Sequence, residues 1–458
     1  MTLDVLGCAL VFALLGWAAS RRARRDEEFL VADRTVGLFP LVATLVMTEF
    51  NTSTLLAFSA AGYRAGPMAI ALPLVFLVGL AFYTLTVAKA WKRFNRLSVA
   101  ELFAERYSPG LGRVASALLL LAMTGFTATY VKSLTLIAQP LVPGLEFTPL
   151  SALLAGGVLL LVLPGGLVSV VRGDVVGFVV TLAIFPLLLV VGSRESATAG
   201  GLAGAFPADQ LTFAPLAQWE HPALPFRFVF TLIVLTCFTY IAAPWYGQKI
   251  FAARDPRTAF AAVAWSAVLV FVLYGLMVVA AAHYRVVDPG LDDPQTVVPA
   301  MLAAWLPAGV RGAGFAALLA AAITTLAGVW TAMAAMVAAD FRWTAARHIG
   351  VQRLVLAGFA AASWLGAVFL VDDILNRLIL ANVPVLALAF ALLAGFHWPR
   401  ATTAGAWASV AVGFTWGAGC FLIVGEAGGY TWPWAIYGVP LIFVTGVVVS
   451  LCSGKRPG

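Results

Sequence analysis

Charge is what this sequence has least of. Only 11% of its 458 residues are Asp, Glu, Lys or Arg, against roughly a quarter in a soluble domain. With 62% of the residues hydrophobic, too little polar surface exists to face water, which excludes a soluble globular protein of this length. Histidine is rare too: His221, His283, His348 and His397 lie far apart and near expected loops, which excludes a histidine metal centre. Cys8, Cys237, Cys420 and Cys452 fall in apolar stretches without C-x-x-C spacing; they read as small buried side chains. No G-x-x-x-x-G-K-[ST] loop and no G-x-S-x-G elbow occurs, so neither ATP drive nor hydrolase chemistry is expected. The protein is expected to be no enzyme and to hold no cofactor.

What is present is one long apolar run after another, rich in Leu, Ala, Val and Gly. A membrane β-barrel needs short alternating segments instead. Crossing the hydrocarbon core takes roughly 20 apolar residues per helix. About thirteen such spans are predicted, at roughly 2–20, 36–61, 68–90, 114–139, 148–169, 174–192, 226–248, 258–283, 312–339, 352–371, 374–396, 402–424 and 431–452. The expected class is an all-α membrane protein with the lipid bilayer as its solvent. Because Arg21, Arg22, Arg24 and Arg25 follow the first run rather than precede it, that run reads as a retained helix and not a signal peptide.

Alternate loops carry the basic residues. One side holds Arg21 to Arg25, Arg34, then Lys89, Lys92, Arg93, Arg96, Arg106 and Arg113, then Arg172, then Lys249, Arg254 and Arg257, then Arg342, Arg347 and Arg353, then Arg400, Lys455 and Arg456. The other side holds the single arginines 64, 194, 227, 285 and 311. By the positive-inside rule the N-terminus lies outside and the C-terminus in the cytoplasm, across a bacterial inner membrane. The formal charge of +7 therefore belongs to membrane topology, and no nucleic-acid partner is expected. Between the third and fourth spans, Ser98 to Tyr107 reads as a short amphipathic helix with an S-x-x-E capping pattern from Ser98 and Glu101.

Ionisable groups at membrane depth are expensive and are functional candidates by default. Glu49 lies mid-span in Met47-Thr48-Glu49-Phe50-Asn51-Thr52-Ser53-Thr54. Such a run competes for helical hydrogen bonds and predicts a broken helix whose freed carbonyls bind an ion; a polar seam between packed helices is the plainer reading. Glu49 and Asn51 in one turn favour a site. The seventh span has a similar interruption, Thr236-Cys237-Phe238-Thr239-Tyr240, followed by Pro244, which removes a backbone donor and breaks or kinks the helix. Two interrupted spans five apart suit an inverted repeat. In the ninth span Ala321, Thr324 and Thr325 share a face, although adjacent threonines are commonly back-bonded. Lys132 in the fourth span either snorkels outward or faces a cavity, pairing with Glu49 or an anionic solute. Arg377, just inside the eleventh span, reads as a snorkelling or gate residue.

Taken together, 29–395 resembles the sodium:solute symporter family of bacterial proline, pantothenate and sugar symporters. The resemblance rests on Phe29-Leu30-Val31-Ala32-Asp33-Arg34, Ala61-Gly62-Tyr63-Arg64-Ala65-Gly66, Ser98 to Tyr107, Gly165-Gly166-Leu167 through Asp174, Gln248-Lys249 through Asp255, and Leu306-Pro307 through Asp340. It implies an inverted five-plus-five repeat of the leucine-transporter type. Residues 1–35 would be a peripheral helix and basic loop, 36–192 the first repeat, 193–225 an extracellular loop, 226–396 the second repeat, and 397–458 two peripheral helices with a tail. By position it implies a sodium site from the carbonyls of Met47, Phe50 and Ala321 and the hydroxyls of Thr324 and Thr325. It implies solute contacts at Ser53, Thr54, Thr236, Thr239 and Tyr240, and places Asp174 on the inner ion exit path. The chain departs from the family at Gly177, Glu49 and Lys132.

The expected function is sodium-coupled symport of a small organic solute by alternating access, with Lys132 mildly favouring a carboxylate or amino acid. Glu49 can also exchange a proton, so a proton-coupled symporter with Lys132 as counter-charge is a second expectation. A third, a non-transporting sensor on the same scaffold, would need a separate output partner.

Overall fold

The computed structural model describes residues 2–19, 34–96, 98–162, 167–341 and 349–454. Arg21 to Arg25, the 29–33 stretch, Gly165, Gly166, Arg342, Arg347, His348, Lys455 and Arg456 lie outside them. Each predicted span is occupied. The helices are α1 (Thr2–Ala19), α2 (Leu38–Glu49) and α3 (Thr52–Ala65), α4 (Leu74–Thr86) and α5 (Ala88–Phe94), α6 (Glu101–Arg106), α7 (Pro109–Ala138), α8 (Phe147–Val162), α9 (Leu167–Thr198), α10 (Phe226–Thr239) and α11 (Pro244–Ala252). They continue with α12 (Pro256–Val287), α13 (Val297–Trp305), α14 (Val310–Asp340), α15 (Ile349–Phe369), α16 (Ile374–Leu380), α17 (Ala389–His397), α18 (Thr403–Val424) and α19 (Val439–Cys452). Among the described residues, seven helices are long and apolar enough to cross a membrane unaided, and four bent pairs raise this to 11. The 18-residue α1 and 16-residue α8 fill the two remaining predicted segments.

Outward faces stay apolar. Leu85, Leu161, Trp265, Phe369, Leu422 and Ile423 are exposed. An apolar surface spread this widely suits lipid rather than water.

Four details differ from the sequence expectation. Helix α9 runs on to Thr198, so Arg194 and Glu195 end a helix rather than begin a loop. Helix α13 adds an element inside the expected loop after α12; Val297, Val298, Met301 and Leu302 bury one face of it. Lys92 and Lys249, read as loop charges, are buried. Lys92 donates to the Phe251 carbonyl at 2.8 Å, because α5 bends inward from α4 by 51°. Arg377 lies at a helix end, with ion pairs to Asp372 at 2.9 Å and Glu426 at 2.6 Å.

Local chemistry explains both breaks. Phe50 donates its N–H to Val46 and ends α2 with ψ 55°. Asn51 is extended, and its side-chain oxygen accepts the Thr54 N–H at 2.8 Å, which caps α3. The two halves are bent by 61°. At the second break Ala243 is extended and Pro244 opens α11, where its missing N–H is no loss; the bend is 52°. The two broken spans also meet: Val36, before α2, pairs in parallel with Ala253, just after α11. The predicted cap on α6 forms only in half: the Ser98 N–H donates to Glu101 at 3.0 Å, but Ser98 Oγ accepts from Ala100 at 3.1 Å, and the helix starts later, with Ala100 as its N-cap.

Helix α12 is the central post, packing on α2, α3, α4 and α9, while α14 packs on α1, α7 and α9 and touches both α2 and α3. At the α1–α14 crossing, Asp4 accepts the N–H groups of Gly309 and Gly312 at 2.9 and 3.2 Å. A Cβ on Gly312 would fall 2.0 Å from the Asp4 carbonyl oxygen, so the close approach requires glycine.

Candidate functional site

The first break leaves main-chain oxygens free. After the Phe50-to-Val46 bond, the ladder resumes with Leu55 donating to Asn51. Between them, the carbonyls of Met47, Thr48 and Phe50 receive no main-chain N–H from the described residues. Tyr274 of α12 holds the break in shape: its hydroxyl donates to the Glu49 carbonyl at 2.6 Å, and its ring stacks on Phe50 at 4.6 Å. Helix α14, carrying Ala321, Thr324 and Thr325, packs against both halves of this span. Thr325 is buried. The Thr324 hydroxyl donates to Asp174 at 3.3 Å and lies 3.3 Å from the Ala321 carbonyl. Main-chain carbonyls left unpaired at a helix C-terminus and hydroxyls on a helix packed nearby are hard oxygen donors, the chemistry that suits an alkali cation.

Asp174 lies at the flank of this arrangement and is 3% exposed. It accepts the Thr44 hydroxyl at 2.5 Å and the Lys249 ammonium at 2.9 Å. Lys249 also donates to the Thr44 carbonyl at 3.1 Å and to the Thr48 hydroxyl. Sequence reasoning assigned Lys249 to a loop and missed this contact. The signal available was its place one helical turn past Pro244, inside the second half of a broken span.

A cavity of about 90 Å³ opens beside the two breaks. Glu49, Asn51, Thr54, Thr236, Thr239 and Tyr240 line it. Sequence reasoning missed its aromatic walls, which include Phe76, Phe126, Tyr130 and Trp245. Tyr130 was detectable as a polar group deep in the fourth span; the phenylalanines carry no such signal. The Tyr240 hydroxyl donates to Oε2 of Glu49, while Oε1 is buried without a hydrogen-bond partner among the described residues.

Two expected solute contacts lie elsewhere. Lys132 does not line the cavity; its ammonium stands 4.3 Å over the Phe147 ring, near the C-terminal end of α7, where Glu49 is not its partner. Ser53 faces α7 instead, donating to Ser133 at 3.0 Å. Residues 132 and 53 point away because the helical rotation that turns Tyr130 and Thr54 to the cavity turns them elsewhere.

Comparison with known proteins bears on the family and the fold. The profile of the sodium:solute symporter family matches residues 29–413. A sodium/pantothenate symporter of Haemophilus influenzae is 23% identical over 338 residues, covering 70% of this chain and 68% of the relative. Among solved structures, a Na+-coupled sialic acid symporter in a substrate-bound outward-open state superposes with a TM-score of 0.76 at 16% identity, covering 100% of this chain and 98% of that one. Mhp1 in its inward-facing conformation superposes with a TM-score of 0.55 at 15% identity, covering 94% and 96% of the two chains. These likenesses extend the inverted-repeat transporter fold over the whole described structure. The chain belongs to the sodium:solute symporter family.

Proposed function

We propose that the protein is a sodium-coupled symporter of a small organic solute, working by alternating access in the bacterial inner membrane. The observation that carries this reading is the break at 47–51, which leaves the carbonyls of Met47 and Phe50 without main-chain donors in a span that contacts the helix bearing Ala321, Thr324 and Thr325. Family membership supports the same ion. Sodium bound there would tie α2 and α3 to α14, and the solute would fill the adjacent cavity. The halves 36–192 and 226–396 would then rock against each other. The membrane potential adds about 2.3 kcal/mol per charge per 100 mV. The N-terminus outside and C-terminus inside remain the orientation favoured by the loop charges.

The test is binding and uptake with purified protein in sodium against equimolar potassium. Sodium is expected to raise the thermal midpoint saturably, since a ligand of the folded state alone stabilises it. Identical midpoints in the two salts across a wide concentration range would refute the proposal. Proton coupling through Glu49 is the second reading, favoured by a buried carboxylate with no cationic partner among the described ion pairs. It expects uptake that persists without sodium and follows an imposed pH gradient.

A further inference from the structure

The cavity beside the breaks combines three features. Glu49 is the one charged side chain among the residues that line it. It is 1% exposed, and one of its oxygens lacks a hydrogen-bond partner among the described residues. The rest of the wall mixes aliphatic and uncharged polar side chains with an aromatic group that includes Phe76, Phe126, Tyr130, Tyr240 and Trp245.

Each nearby cation is engaged elsewhere. Lys249, the nearest buried ammonium, is held by Asp174, the Thr44 carbonyl and the Thr48 hydroxyl. Lys132 stands over Phe147, outside the cavity. Trp245 stands close enough to interact with the carboxylate, but Oε1 has no hydrogen-bond partner of normal geometry among the described residues. Glu49 is also the last residue of α2, where the helix dipole places negative partial charge. A buried carboxylate at a helix C-terminus lacks a counter-ion there, and aromatic rings attract organic cations through their quadrupoles.

We propose that the transported solute carries a protonated amine, which enters this cavity and donates an N–H to Glu49 while its alkyl part packs on the aromatic wall. This deepens the symporter reading and rests on it for transport, but not for binding. It drops the case for a carboxylate group on the solute, which depended on Lys132, and is compatible with an amino acid.

The probe is propylammonium, compared with propionate and 1-propanol, in thermal-shift titrations at fixed ionic strength and saturating sodium. Propylammonium is expected to stabilise the protein saturably, with no response to the other two. Glu49→Gln, which keeps an acceptor for Tyr240, should raise the half-saturating concentration about tenfold or more. Trp245→Leu should raise it about threefold or more and provides a separate arm should the Glu49 variant fail to fold. Lys132→Gln should leave the titration unchanged. Stabilisation by propionate, loss of the response in Lys132→Gln, or an unaltered titration in both cavity variants would overturn the proposal. The parent reading is scored separately by sodium against potassium without propylammonium, so the two fail independently.

Discussion

The ammonium of Lys249 lies 2.9 Å from Oδ2 of Asp174, and both side chains are buried. This pair joins α11 to α9 and, through Thr44, Thr48 and Thr324, to α2 and α14 as well. Four helices from both halves of the repeat therefore share one polar cluster beside the first break. The same contact means that Asp174 is already neutralised by the chain itself. An ion passing this aspartate would have to compete with a tethered ammonium.

Breaking that pair from one side leaves an uncompensated charge in the interior. Lys249→Met and Asp174→Leu are each expected to destabilise the protein by about 3–5 kcal/mol. The double substitution should be clearly milder than the sum, because no lone charge remains. Chemical unfolding of the four species in matched detergent measures the coupling. Additive losses would show that the pair is not a stabilising unit.

Thr324→Ala and Thr325→Ala are each expected to weaken sodium half-saturation about tenfold, since each removes one hydroxyl from the proposed sodium site. Thr324→Ser should keep near-normal affinity because it retains the oxygen that contacts Asp174. Sodium titration of the thermal midpoint provides the readout. Normal affinity in both alanine variants would place the ion elsewhere.

Tyr240→Phe removes the hydroxyl that donates to Oε2 of Glu49 and would leave both carboxylate oxygens without a donor. The expected loss is about 1–3 kcal/mol of stability, partly recovered in the Tyr240→Phe/Glu49→Gln double variant, in which the charge is gone. Thermal midpoints of the wild type and the two variants test this. An equal loss in single and double variants would assign the effect to packing around Phe76, whose ring meets Tyr240 edge-on at 5.7 Å.

Gly62→Ala addresses the fold rather than the site. Its Cβ would fall 2.3 Å from the Val278 carbonyl oxygen, where α3 crosses α12. Backbone on both sides cannot yield by rotamer change, so a loss of about 1–3 kcal/mol is expected, together with poor recovery of monodisperse protein. Wild-type stability and yield would show that the crossing is looser than the contact distances indicate.

The sequence by itself determined the class, the spans and the breaks. Runs of about twenty apolar residues can satisfy their backbone in hydrocarbon only as helices. Asn51 and Pro244 interrupt their helices through local chemistry, a side-chain cap and a missing donor, that needs no partner. Tertiary structure alone decided which faces converge. In water an amphipathic stripe marks the buried face of a helix; in lipid both faces are apolar, so the pattern is silent. That silence hid Phe76, Phe126 and Trp245 as walls of one cavity, hid the seat of Lys132 over Phe147, and let Lys249, counted among the loop charges, pair with an aspartate 75 residues away in sequence.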